Sequence, residues 1–150
     1  MLDCPRSEYA PCLPLEHRVS EFEVVITPRV SETDLIGHIN NASIAVWFED
    51  LRVRYMRHLL KREPELPRLS MTVASVTINY LRETFFGSDV IMSVSSVKIG
   101  NSSLTLTGTM HQNGQQVVEA IAVMVHWDKE TRRPQRIGDE YRKRLEKSAQ

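Results

Sequence analysis

Apolar and polar positions along this chain change their period twice. Phe22-Glu23-Val24-Val25-Ile26-Thr27 has strand composition, and Pro28 ends it. Residues 29–39 are a polar, glycine-containing loop. From Asn40 to about Arg62, the residues Ile44, Ala45, Phe48, Leu51, Tyr55, Met56 and Leu59 recur at spacings of three and four. That spacing predicts a helix with one broad apolar face. Asn40 suits its N-cap, and Pro64 with Pro67 keeps the helix from continuing.

The second half reads with a period of two. Ala74, Val76, Ile78 and Tyr80 alternate with Ser75, Thr77 and Asn79, while Val90, Met92 and Val94 alternate with Ser93 and Ser95. Leu104, Leu106, Gly108 and Met110 alternate with Thr105, Thr107 and Thr109. These predict antiparallel strands with one polar face. Val117 to Trp127 is apolar on both faces, as a covered or central strand would be. Gly100-Asn101 and Asn113-Gly114 mark tight turns. Residues 138–147 read as a short surface helix. The expected order is strand, loop, long helix, then four strands as a meander. A helix of about 22 residues spans roughly 33 Å and a strand of about 11 residues roughly 35 Å, so one helix matches the strands in length. These lengths imply an α+β domain, with the sheet wrapping the helix and its threonine and serine side facing water or a partner.

Composition narrows the function classes. The 150 residues suit a single domain, and 19 basic residues balance 19 acidic ones. A neutral chain has no electrostatic footprint for nucleic acid, and no apolar run is long enough to span a bilayer. Neither a nucleic-acid nor a membrane partner is expected. Residues 1–21 read as an irregular arm broken by Pro5, Pro11 and Pro14, without the apolar core of a signal peptide. Both cysteines, Cys4 and Cys12, fall there and are expected to stay reduced in a cytoplasmic protein. No spacing suggests a metal site, and no cofactor is called for.

The densest chemistry lies in Asp34-Leu35-Ile36-Gly37-His38-Ile39-Asn40-Asn41, between the first strand and the helix. A carboxylate facing the first turn of a helix sits beside backbone N–H donors and the positive end of the dipole. That pairing suits attack on a carbonyl group. Taken alone, Asp34 reads more readily as a loop aspartate capping its own turn. Gly37 allows a close approach or a positive φ. His38 has no Ser or Cys beside it to form a nucleophile pair. Glu49 on the helix pairs by default with Arg52. Arg132, Arg133 and Arg136, with Lys98, form either a solvated surface or a phosphate contact.

Four segments in this order carry a family resemblance: Asp-x-x-Gly-His-x-Asn-Asn at residues 34–41, Trp47-Phe48-Glu49-Asp50-Leu51-Arg52, Gly87, and Thr131-Arg132-Arg133-Pro134. From about Phe22 to Arg144 the chain resembles the hotdog-fold acyl-CoA thioesterases of the 4-hydroxybenzoyl-CoA thioesterase-like family. The resemblance implies a hotdog fold for residues 22–150: a long helix wrapped by a five-stranded antiparallel sheet. It implies hydrolysis of a thioester to free acid and coenzyme A. Asp34 would be general base or nucleophile, and the Asn41 backbone amide the oxyanion donor. Glu49 is the second-choice catalytic carboxylate, because some hotdog thioesterases carry theirs on this helix. Gly37, His38, Ile44, Arg132 and Arg133 are the candidate substrate contacts. The family often has Tyr where Ile44 stands and a small residue where Leu51 stands, both near the acyl pocket. A homodimer or higher homo-oligomer is implied. Alternatives are a thioesterase acting on acyl carrier protein, a hotdog hydratase, and a non-catalytic acyl-CoA-binding module.

Overall fold

The computed structural model of the chain describes residues 22–61 and 69–148. The expected N-terminal arm and both cysteines lie outside the described residues. The chain forms β1 (Glu23–Ile26), a 3-10 turn (Val30–Glu32), α1 (Asn41–Lys61), β2 (Met71–Tyr80), β3 (Val90–Ile99), β4 (Ser103–Gln112), β5 (Gln115–His126) and α2 (Asp139–Ser148). This is the expected α+β architecture, a five-stranded antiparallel sheet with one long helix. No helix among the described residues is long and apolar enough to cross a membrane.

Helix α1 starts where the Asn40 side chain accepts a hydrogen bond from the Ala42 N–H at 2.9 Å. Its buried face is Ile44, Trp47, Phe48, Leu51, Tyr55 and Leu59. Ala45, expected on that face, is exposed. Trp47 takes the other flank instead, with its indole N–H donating to Glu32 Oε1 at 3.0 Å. Across the core, β4 alternates as its sequence suggests: Leu104, Leu106, Gly108 and Met110 are buried, and the threonines between them are half-buried. Gly108 is where helix meets sheet. A Cβ there would lie 2.9 Å from both Leu51 Cδ2 and Phe48 Cε2, so the helix sits directly on the glycine backbone.

Strand order is β1-β3-β4-β5-β2, which corrects the four-strand meander. Only β3, β4 and β5 follow one another; β2 pairs with β5 and β1 takes the place beside β3. The physical reason lies in the connections. Asn113 (φ 52°) and Gly114 (φ 76°) make the tight turn that joins neighbouring strands. Residues 81–89 between β2 and β3 are too long for such a turn and carry the chain across the end of the sheet. As a result β2 lies at the edge and is exposed along almost its whole length, although its alternation suggested a buried face. Strand β5 is central, as its two apolar faces suggested, because it lies between β4 and β2.

Candidate active site

The loop before α1 is held by a dense set of short bonds. Asp34 Oδ1 accepts from the Ile36 N–H at 2.8 Å and the His38 N–H at 3.0 Å, while the Asp34 N–H donates to the His38 carbonyl at 2.7 Å. Asp34 therefore caps its own turn, and it does so with one oxygen. No hydrogen bond among the described residues engages Oδ2. Gly37 takes φ +90°, the left-handed region open to glycine. Just beyond, the Asn40 N–H donates to the Glu32 carbonyl at 2.8 Å, and the Asn40 carbonyl receives the Ser43 and Ile44 amides. The Asn41 N–H opens the helix and has no acceptor among the described residues.

A second segment closes around this loop. The Ile39 N–H donates to the Thr84 carbonyl at 2.7 Å, and His38 forms an antiparallel bridge with Phe85. The His38 ring meets the Phe85 ring edge-on, with centroids 5.0 Å apart, and its Nε2 lies 3.7 Å from Glu83 Oε1. Between loop, helix start and the end of β2 lies a cleft of about 520 Å³. Asp34, His38, Asn41 and Ile44 line one side, and Tyr80, Arg82, Glu83 and Thr84 line the other. Tyr80 Oη reaches the Asn41 carbonyl at 3.4 Å, and Arg82 is tied by Nη1 to the Gln116 carbonyl at 2.7 Å. Thr84 is buried, and its hydroxyl has no hydrogen-bond partner among the described residues.

The structure thus brings Asp34, Gly37, His38, Asn41 and Ile44 into one region. Leu51 does not reach the cleft and instead packs over Gly108. Glu49 is exposed, eight residues along the helix from Asn41, or about 12 Å. The expected ion pair with Arg52 does not form; on this helix Arg54 pairs with Asp50 at 2.7 Å. Arg52 is buried over the Phe48 ring, 5.0 Å from its centroid, and its Nε and Nη1 have no hydrogen-bond partner among the described residues. Burial lowers the Arg52 pKa, opposed by the nearby Glu49 charge.

Arg132 and Arg133 lie on the turn after β5, at the opposite end of the sheet. About ten strand residues separate that turn from the cleft end of β5, roughly 33 Å, so one chain does not bring these arginines to Asp34. Arg136 is paired with Asp139 at 2.6 Å. Among the described residues no group of three His, Cys, Asp or Glu is arranged to hold a metal ion. Sequence reasoning missed the 80–84 wall. Its only signal was the charged Arg82-Glu83 pair interrupting an apolar run before Gly87.

The fold and this loop-to-helix site define a thioesterase-like domain, and the chain belongs to the thioesterase-like superfamily, whose family profile matches residues 28–145. A predicted thioesterase from Bacillus stearothermophilus is 37% identical, with a TM-score of 0.75 over 86% of this chain and 96% of its own. A thioesterase from Thermus thermophilus, solved with coenzyme A and zinc, is 26% identical with a TM-score of 0.72, over 85% of this chain and 92% of its own. The uncharacterized protein YsmA of Bacillus subtilis (strain 168) is 32% identical over 108 residues, covering 71% of this chain and 72% of that protein. These comparisons establish the broad superfamily rather than the narrower 4-hydroxybenzoyl-CoA thioesterase-like family.

Proposed function

We propose that the protein is a cytoplasmic acyl-CoA thioesterase of the 4-hydroxybenzoyl-CoA thioesterase-like kind, with Asp34 as general base or nucleophile. The observation that carries this reading is the pairing of two unengaged groups on one cleft: Asp34 Oδ2 and the Asn41 N–H. Thioester hydrolysis needs an oxygen nucleophile on one side of the carbonyl carbon and donors at the carbonyl oxygen. Asp34 supplies the first, either attacking directly or taking a proton from water. Its orientation is set in advance, because Oδ1 is already bound by two amides of its own loop. The Asn41 amide, at the positive end of α1, supplies the second. Negative charge grows on the carbonyl oxygen beside that amide as the nucleophile adds. It returns to re-form the carbonyl as the C–S bond breaks and the thiolate of coenzyme A leaves. If Asp34 itself attacked, water then cleaves the acyl-Asp34 anhydride to free acid. Ile44 and Tyr80 bound the acyl side, and His38 with Gly37 keeps the loop close to the thioester. The relative solved with coenzyme A supports that carrier.

The working unit in this reading is at least a homodimer. Strand β2 offers an edge unpaired among the described residues, with Val73, Val76 and Tyr80 each 43–50% exposed. A two-fold relation through β2 brings the far end of one sheet beside the cleft of the other. By that route the partner's Arg132 and the partner's Arg133 would meet coenzyme A phosphates that their own chain cannot reach.

The test is thiol release from short, long and aromatic acyl-CoA substrates by the parent and by Asp34→Asn. The variant is expected to fold and to bind acyl-CoA while losing turnover by about 10²–10⁴. Hydrolysis at the parental rate by Asp34→Asn removes Asp34 from the chemistry. Binding by the parent without release of thiol from any substrate turns the protein into a non-catalytic acyl-CoA-binding module.

A further inference from the structure

Residues 84–88 continue from the 80–84 wall of the cleft, yet apolar burial does not hold them. Phe85 is 45% exposed and Phe86 is 50% exposed, so the aromatic pair of this turn faces solvent. At Phe85 and Ser88 the backbone is held by a single side chain from the end of β4. Gln112 is buried, and its carboxamide makes three hydrogen bonds to the turn. Oε1 accepts from the Phe85 N–H at 2.9 Å, while Nε2 donates to the Phe85 carbonyl at 2.7 Å and the Ser88 carbonyl at 2.9 Å. Both backbone groups of Phe85 are thereby satisfied by one residue.

The clamped turn in turn carries the site loop. Phe85 bridges His38, and the Thr84 carbonyl receives the Ile39 amide. His38 then exchanges two hydrogen bonds with Asp34, and Ile39 leads directly into Asn40 and Asn41. An unbroken path runs from the Gln112 carboxamide to the carboxylate and to the first amide of α1. We propose that Gln112 is a positioning residue for the site, setting the separation of the Asp34 carboxylate and the Asn41 amide through the 84–88 turn. Gln112 does not line the cleft and touches no substrate. A glutamine is required for this because the turn presents one donor and two acceptors. A carboxylate would set negative charge against two carbonyls, and an apolar side chain of similar volume would leave all three groups unpaired.

The test uses Gln112→Met and Gln112→Glu in the full chain, beside Val94→Ala as a core variant that loses stability away from the turn. Val94 is buried on β3, and its strand neighbour is Gly108. Both Gln112 variants are expected to lower kcat by about tenfold or more, since a shift near 1 Å in a site can remove up to about 10² in rate. KM should change by less than about threefold, because the cleft wall remains. Amide exchange provides a second readout, with the Ile39, His38 and Asp34 N–H groups losing protection while the β4–β5 ladder keeps its own. The kinetic arm rests on the thioesterase reading; the exchange arm does not, and it decides if the parent releases no thiol. Equal kcat loss in Val94→Ala and Gln112→Met at matched stability overturns the proposal. So does full retention of Ile39 and His38 protection in both Gln112 variants.

Discussion

Adding one methyl group at Gly108 tests how the helix, and with it the site, is seated. The new Cβ of Gly108→Ala would stand 2.9 Å from Leu51 Cδ2, 2.9 Å from Phe48 Cε2 and 3.3 Å from Phe48 Cδ2. Carbon atoms pack at about 3.5–4.0 Å, so the two shortest contacts must open by roughly 0.6 Å or more and the third by about 0.2 Å or more. Neither neighbour can swing into water, since Leu51 and Phe48 are fully buried. The strain is relieved by lifting α1 from the sheet or by forcing side chains off their rotamers. Overpacking of this kind costs about 1–3 kcal/mol. For a domain of this size each kcal/mol lowers Tm by about 2–4 °C. The expected loss is thus about 2–12 °C, read by thermal unfolding and checked by urea titration with unchanged m. Turnover should fall by more than folding alone explains, because α1 carries Asn41 while Thr84 stays with the sheet. If Gly108→Ala is as stable as the parent, the helix does not rest on Gly108 and the close approach is not a packing constraint.

Two further outcomes concern buried charge. Arg52→Met keeps an unbranched apolar stem, though a shorter one, and removes a guanidinium whose Nε and Nη1 are buried without partners among the described residues. It should stabilise the chain by about 1–3 kcal/mol in urea titrations at low protein concentration; a loss of stability there means that the guanidinium has an acceptor within its own subunit. His111 has its pKa lowered by desolvation, partly offset by the Glu23 charge, so folding favours the neutral ring. The unfolded chain then binds this proton more readily, and the contribution is complete above the ordinary histidine pKa. It declines as pH falls from that value to the lowered one. His111→Gln should flatten the stability-against-pH curve in that window, and an unchanged curve would assign the acid sensitivity to other groups.

Much of the candidate site's geometry was readable because it is local. Asp34, Gly37, His38, Asn40 and Asn41 lie within eight residues, and their geometry depends on bonds spanning two to four positions. The same holds for α1, whose buried face repeats with the helical period. Two local expectations still gave way to tertiary context. Glu49 and Arg52 have the spacing of an ion pair, yet Arg52 turns inward over Phe48. β2 alternates like a half-buried strand, yet it lies exposed at the sheet edge.

By itself the sequence determined the element types, their order, the helix of sheet length and the carboxylate-to-amide loop. Each of these arises from periodicity and from short-range hydrogen bonding. Only the tertiary structure decided which strands are neighbours, which wall faces Asp34 and which arginines do not. Those outcomes depend on where the connection at residues 81–89 carries the chain after β2. They depend also on Thr84 meeting Ile39, more than forty residues earlier, and on Gln112 holding a turn 24–27 residues before it. No period or spacing encodes such contacts, because they join residues far apart in the chain that only the packing of helix and sheet brings together.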